Sequence, residues 1–185
     1  METLQGVAAL SMPIYAIAFI VTQSVVSSAR GVRTPLRLAD LALKAASQGV
    51  WILAILTMHD DSFSYNESWR WFGAAVTVLG LVVSGVATHQ LGKNWVGGVA
   101  LHKGHTLVQH GLYRIVRHPL YSGMLISAVG ISFFTQNWFY VATIFLYVGS
   151  VLIRIPSEEL MLAKKFGRVH QQYAARTKLI IPLLW

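Results

Sequence analysis

Cysteine is absent from the 185-residue sequence, which excludes disulfides, thiolate nucleophiles and thiolate metal ligands. Acidic residues are scarce: seven Asp and Glu stand against fifteen Lys and Arg, and only 12% of the chain is charged. A soluble domain carries about twice that charged fraction. Missing as well are the Gly-x-Ser-x-Gly elbow of serine hydrolases and the His-Glu-x-x-His helix of zinc proteases. Neither a Gly-x-Gly-x-x-Gly fingerprint nor a Walker loop occurs, so a nucleotide-like cofactor would need a non-Rossmann pocket. No internal repeat and no low-complexity segment is found.

What is present is apolar. Hydrophobic residues make up 55% of the chain and mean hydropathy is +0.54, which places it in the membrane class as one compact unit. The formal charge of +8 is spread between apolar runs instead of forming a stripe. That distribution fits the positive-inside rule and argues against nucleic acid as a partner.

Five apolar runs are legible, at about 7–28, 36–58, 69–89, 119–134 and 138–155. A helix of about 20 residues crosses a bilayer core, so the first three are long enough and the last two are marginal. The last two, joined by Thr135-Gln136-Asn137, predict a tight helical hairpin. Glu2 and the lack of Lys or Arg before the first run speak for a retained span over a cleaved signal peptide. In the second run Asp40 and Lys44 stand at i, i+4, the spacing of a helix-end ion pair. Trp69 and Trp71 sit where interfacial aromatics belong, and Gly73, Gly80 and Gly85 offer close helix contact. The connections at 30–37, 93–117 and 154–178 are basic, while those at 59–67 and 135–137 are acidic or neutral. The expected topology is therefore an all-α polytopic bundle of five spans, with the N-terminus outside and the C-terminus in the cytosol.

Two polar knots then share the cytosolic face. The first runs from His105 to Tyr121 and holds three His, two Arg and two Tyr. Pro119 restricts His118 to extended backbone and begins a helix, which seats Arg117 and His118 at the mouth of the fourth span. A helix start presents amide donors suited to an anionic group. The second knot is Arg154-Ile155-Pro156-Ser157-Glu158-Glu159. There Pro156 marks the mouth of a further amphipathic helix, which leads to a short extended end at Pro182. Adjacent glutamates after Pro serve a helix dipole on the structural reading. Ionisable groups gathered beside a bilayer serve chemistry on the functional one. His102, His105 and His110 have no metal-ligand spacing, and no Asp lies near them, so no metal site is expected.

These residues resemble a known family. His105-Thr106-Leu107-Val108, Gly111, Tyr113 and Arg117-His118-Pro119-Leu120-Tyr121 look like the cofactor motif of integral-membrane isoprenylcysteine carboxyl methyltransferases. Glu158-Glu159, Phe166-Gly167 and Tyr173 are similar to its second half, and Leu91-Gly-Lys-Asn-Trp95 to the segment before it. The resemblance covers about 91–182 of a single domain spanning 1–185, while the first two runs share only a hydropathy plan. It implies S-adenosylmethionine as methyl donor, with S-adenosylhomocysteine as product, in a cytosolic pocket. His105, Thr106, Leu107 and Val108 would line the adenosine end. Tyr113, His118, Pro119, Leu120 and Tyr121 would hold the remainder, with Glu158 closing the site. Arg154 would contact the acceptor, and it shares a helix face with Glu158 if the helix continues through Pro156.

Relatives of this architecture methylate a prenylcysteine carboxylate, a phospholipid amine or a small thiol, so the implied partners are the bilayer and a lipid-like or prenylated acceptor. A carboxylate acceptor needs a cation, which Arg154 supplies. An amine must lose its proton, with Glu159 or His118 as base. Arg154 as a snorkelling helix end, His118 as a helix-start hydrogen bond and Tyr113 and Tyr121 as interface aromatics are the structural alternatives. Two rival classes share the pattern. One is an NADPH-dependent sterol-type reductase, with its Arg-His-Pro-x-Tyr element and acidic pair. The other is a non-catalytic membrane scaffold.

Overall fold

A computed structural model describes residues 66–95, 104–136 and 138–181, with Ala45 alone before them. The runs at 7–28 and 36–58 lie outside the described residues, and with them the first two expected spans and the Asp40–Lys44 pair. Helix α1 spans Glu67–Leu91, α2 Pro119–Thr135, α3 Trp138–Phe166 and α4 Arg168–Arg176. Two 3-10 turns, Gly92–Asn94 and Gly111–Arg114, lie between α1 and α2. Among the described residues the extended contact is one parallel bridge between Val116 and Lys178, and the remainder is helix, turn or loop.

α1 and α2 pack antiparallel on a seam of small residues. The buried positions of α1 are Gly73, Thr77, Gly80, Ser84 and Ala87, spaced three and four apart. They meet Gly123, Ser127 and Gly130 of α2. A Cβ placed on Gly80 would come within 2.4 Å of the Ser127 backbone nitrogen, and one on Gly73 within 2.3 Å of the Phe134 nitrogen. Only hydrogen fits at these two positions. Ser127 Oγ crosses the seam to donate to the Thr77 carbonyl at 3.3 Å. Gly85, by contrast, faces open space.

Large apolar residues lie on the outside: Phe72, Val78, Leu79, Leu81, Val82 and Val86 of α1 and Phe145 of α3 are exposed. Small residues within and oily residues without is the pattern of helices that pack in lipid, where association comes from close contact and not from escape from water. α1 and α3 are each long and apolar enough to cross a membrane, whereas the 17 residues of α2 reach only about 25 Å.

At one end of the bundle Asn66 caps α1, accepting from the Ser68 and Trp69 amides at 3.0 and 3.3 Å. Gln136, in left-handed backbone after α2, clamps that cap. Its Oε1 accepts from the Asn66 amide at 2.8 Å and its Nε2 donates to the Asn66 carbonyl at 2.6 Å. Trp69 stacks on Phe133 here, and Trp71 and Trp138 are exposed at the same end. The polar knots lie at the opposite end.

α3 departs from expectation. It does not stop near Ile155 but runs through Pro156 to Phe166, 29 residues or about 43 Å. Glu158 and Glu159 therefore stand within a helix and not at a helix mouth. The separate tail helix begins only at Arg168, after Gly167 turns the chain at φ 50. Pro156 removes one backbone hydrogen bond, at a cost of about 3 kcal/mol. Its ring lies on the exposed side of α3, while Val151, Arg154 and Ile155 are buried, and beyond it both glutamates contact His118 at the N-cap of α2 and Glu158 accepts from Tyr121. Those contacts hold the helix across the break.

The seam yields a paired test. Gly80→Ala should destabilise the detergent-solubilised protein by about 1–3 kcal/mol through overpacking. Gly85→Ala should be neutral or slightly stabilising. Equal thermal midpoints for the two variants would disprove the seam.

Candidate active site

The two knots, about forty residues apart in sequence, meet. Pro119 starts α2, and His118 takes the N-cap position with no capping bond from its side chain, which leaves the imidazole free to turn toward α3. Its Nε2 lies 2.9 Å from Glu159 Oε1 and its Nδ1 3.5 Å from Glu158 Oε2. The ring thus stands between two carboxylates. Tyr121, one turn on, donates its hydroxyl to Glu158 Oε1 at 2.6 Å and stacks on His118 at 5.8 Å. Arg154 lies with its Nε 4.0 Å from the same Glu158 oxygen and its guanidinium 5.8 Å from the centre of the Tyr121 ring. The i, i+4 relation of Arg154 and Glu158 therefore survives Pro156. Beneath them Tyr121, Met124, Tyr147, Val151, Ile155 and Ile180 form an apolar floor, and the Tyr147 hydroxyl donates to the Tyr121 carbonyl at 3.2 Å.

The C-terminal segment straps this cluster together. The Arg117 and His118 amides donate to the Lys178 and Leu179 carbonyls at 2.8 and 3.0 Å. Ser122 Oγ donates to the Ile180 carbonyl at 2.6 Å. Arg117 reaches three ways: Nη1 donates to the Ala174 and Thr177 carbonyls at 3.0 and 2.7 Å, and Nε stands 3.0 Å from Glu159 Oε2. From α4, His170 brings its Nε2 to 3.6 Å from that same oxygen. Two guanidiniums and two imidazoles thus surround two carboxylates. Buried charges are tolerable only when paired in this manner.

The adenosine-end candidates sit apart from the carboxylates. Thr106 is tied to Asn94, whose Oδ1 accepts from its amide at 2.8 Å. Leu107 and Val108 follow, half-buried. His105 lies 6.4 Å from the Phe166 ring, and Phe166 stands two helical turns beyond Glu159 on α3. Tyr113 is buried in the second 3-10 turn, where its carbonyl accepts from the Tyr173 hydroxyl at 2.7 Å. Pro119 is fully buried and Leu120 packs on the apolar floor. Arg117 and His170 join the cluster without having been singled out as site residues. Arg117 was visible in the motif. His170 carried only a faint signal, its place one turn before Tyr173 on the face of α4 that docks.

Residues 73–164 match the model of the isoprenylcysteine carboxyl methyltransferase (ICMT) family. Both polar knots lie within the matched residues. The probable protein-S-isoprenylcysteine O-methyltransferase of Oryza sativa subsp. indica is 32% identical over 124 residues, covering 64% of this chain and 65% of the relative. The cobalt-zinc-cadmium resistance protein CzcN of Cupriavidus metallidurans is 31% identical over 142 residues, covering 74% of this chain and 63% of the relative. The chain spans less than two thirds of the length of the curated relatives it matches. Among solved structures, the eukaryotic intramembrane Ras methyltransferase ICMT superposes with a TM-score of 0.59 at 19% identity, covering 96% of this chain and 66% of that one. At that identity the likeness is one of fold, and it agrees with the all-helical membrane architecture.

Around the matched segment, burial pushes the Tyr173 phenol up to about 12, with Arg117 opposing and Glu159 adding to the rise. Burial, with Tyr173 and Glu158 adding to it, raises Tyr113 as well. Both phenols stay protonated at neutral pH, as the Tyr173 bond to the Tyr113 carbonyl requires. The stabilisation from the raised Tyr173 value is complete below its ordinary value of 10.0 and is lost as pH climbs through about 12. Tyr173→Phe should cost about 0.5–1.5 kcal/mol at pH 7. The gap from wild type, measured by denaturation, should shrink between pH 10 and 12; a gap that is constant or widens contradicts this bond.

Proposed function

We propose that the chain is an S-adenosylmethionine-dependent methyltransferase of 1–185 as one unit, working at the cytosolic membrane face on an isoprenylcysteine-type carboxylate. The observation that carries the reading is the meeting of His118, Tyr121, Arg154, Glu158 and Glu159 above an apolar floor inside the segment that matches the ICMT family. S-adenosylmethionine supplies a methyl group on a sulfonium, ready for in-line displacement by the acceptor. A ligand bearing a carboxylate, an ammonium and a sulfonium asks for a cation, a carboxylate and aromatic faces. The cluster offers each kind. His118, Tyr121 and Glu158 would hold the charged end, with Tyr113, Pro119 and Leu120 as the wall. His105, Thr106, Leu107 and Val108 would hold the adenosine. The two groups of residues lie along one face of α3, about 10 Å apart by helix rise, which supports a single elongated ligand bridging them.

Arg154 would orient the acceptor carboxylate and Glu159 would steady His118, so alignment and exclusion of water carry the rate. The amine reading needs a free base. Here His118 and Glu159 are bonded to each other, and Glu159 is also paired with Arg117, which favours the carboxylate acceptor.

His118→Ala and Glu158→Gln should each weaken S-adenosylhomocysteine binding about 10- to 150-fold, the loss of one charged hydrogen bond. Arg154→Ala should spare that binding and depress turnover, and Arg154→Lys should restore it only in part, since a point charge cannot replace a bidentate fork. Calorimetry beside a labelled-methyl assay on prenylcysteine, phospholipid amine and small thiol acceptors reads both outcomes. Binding of NADPH in place of S-adenosylhomocysteine would overturn the reading, and full turnover of Arg154→Lys would return Arg154 to a snorkelling role.

Orientation is tested separately. Because the chain has no cysteine, single replacements at Ser68 and Arg168 give clean labels. They should react from opposite faces of sealed vesicles, with Arg168 on the cytosolic side. Labelling from one face would sink the proposed topology.

A further inference from the structure

Glu159 draws donors from two directions that the methyl-transfer reading uses and from one that it does not. Oε1 meets His118 and Oε2 meets Arg117 Nε. The third neighbour is His170, whose ring is buried on α4 and whose Nε2 has no hydrogen-bond partner among the described residues. A buried imidazole nitrogen left without a bond is costly, so its surroundings have to account for it. It points at Glu159 Oε2 from 3.6 Å, beyond a hydrogen bond and within the range of a charge contact. Anchoring α4 does not need it. Tyr173 already bonds to the Tyr113 carbonyl, and Arg117 to the Ala174 and Thr177 carbonyls. The His170 ring also lies edge-on to Tyr173, at 6.5 Å.

We propose that His170 is a positioning residue for the methyl-donor site, holding Glu159 so that Glu159 holds His118. This rests on the reading of His118 as a donor ligand. Arg117 spends Nη1 on two backbone carbonyls and has Nε for the carboxylate. Arg117 Nε stands 3.0 Å from Oε2 without making a hydrogen bond to it, so a carboxylate bonded only at Oε1, by His118, can still pivot. His170 closes the open side of Oε2, and an approach of about half an ångström turns the contact into a hydrogen bond. The carboxylate is then fixed from three segments: the residues before α2, α3 itself and α4.

The test separates positioning from packing. Gln carries an amide N–H to about the place of Nε2, while Phe keeps the ring shape and its contact with Tyr173 but offers no donor. In the full-length protein, His170→Gln should bind S-adenosylhomocysteine within about twofold of wild type. His170→Phe should bind about five- to tenfold more weakly, with the KM for the acceptor unchanged. A ligand-free reading comes from thermal midpoints. His170→Phe should lower the midpoint when Glu159 is present and have little effect in the Glu159→Gln background, because the contact is already gone. Weak binding by the Gln variant, wild-type binding by the Phe variant or additive midpoints overturns the proposal. An apolar variant that fails to fold while the Gln variant folds makes His170 a folding residue and equally overturns it. If wild type itself binds no S-adenosylhomocysteine, the methyl-donor reading fails, and the midpoint cycle still judges the Glu159–His170 contact alone.

Discussion

The carboxylate of Glu159 is the point on which the polar end of this bundle depends. It sits on α3, yet its partners come from the residues before α2 and from α4. The carboxylate is largely shielded from water, so separation of any partner would leave charge that is poorly solvated. The cost of breaking such a cluster is larger than its net worth against an apolar substitute. That asymmetry favours geometric definition over bulk stability, and definition is what the proposed methyl transfer would require.

The apolar part solves a different problem by different means. Between α1 and α2 the contact is made by Gly73, Gly80, Gly123 and Gly130, with Thr77, Ser84 and Ser127 among them. Close backbone approach replaces hydrophobic burial as the source of cohesion, since the outward residues are already in oil. The seam fixes the start of α2 beside the end of α1, and the Asn66–Gln136 clamp fixes the other end. His118 is thereby placed along the bundle axis before any polar contact forms.

Much of this was legible in the residues. The run at 69–89 is α1 within two residues at each end, the run from Pro119 is α2, and the turn at Gln136 is where the hairpin folds. The convergence of the two knots followed from basic residues falling on alternate connections. What was not legible has physical causes. Pro156 reads as a helix boundary by its local chemistry, but the buried faces on both sides of it outweigh one missing backbone bond. Gly85 reads like Gly73 and Gly80, because spacing alone does not reveal which stripe meets the neighbour. His170 enters the cluster only because Gly167 breaks the helix and folds α4 back, and no local pattern announces that return. The order of His105, Thr106, Leu107 and Val108 in the loop did not disclose the Asn94 tether that holds Thr106.

The strap formed by residues 178–180 has a bearing on the order of events during synthesis. The amides of Arg117 and His118 find their acceptors some sixty residues later, at the Lys178 and Leu179 carbonyls. A nascent chain that has already inserted α1, α2 and α3 therefore still lacks the backbone bonds that set His118. Only after α4 and the strap have left the ribosome can the last segment dock and the polar cluster close. A chain halted before residue 178 would therefore carry α1 to α3 without the strap that closes the polar cluster.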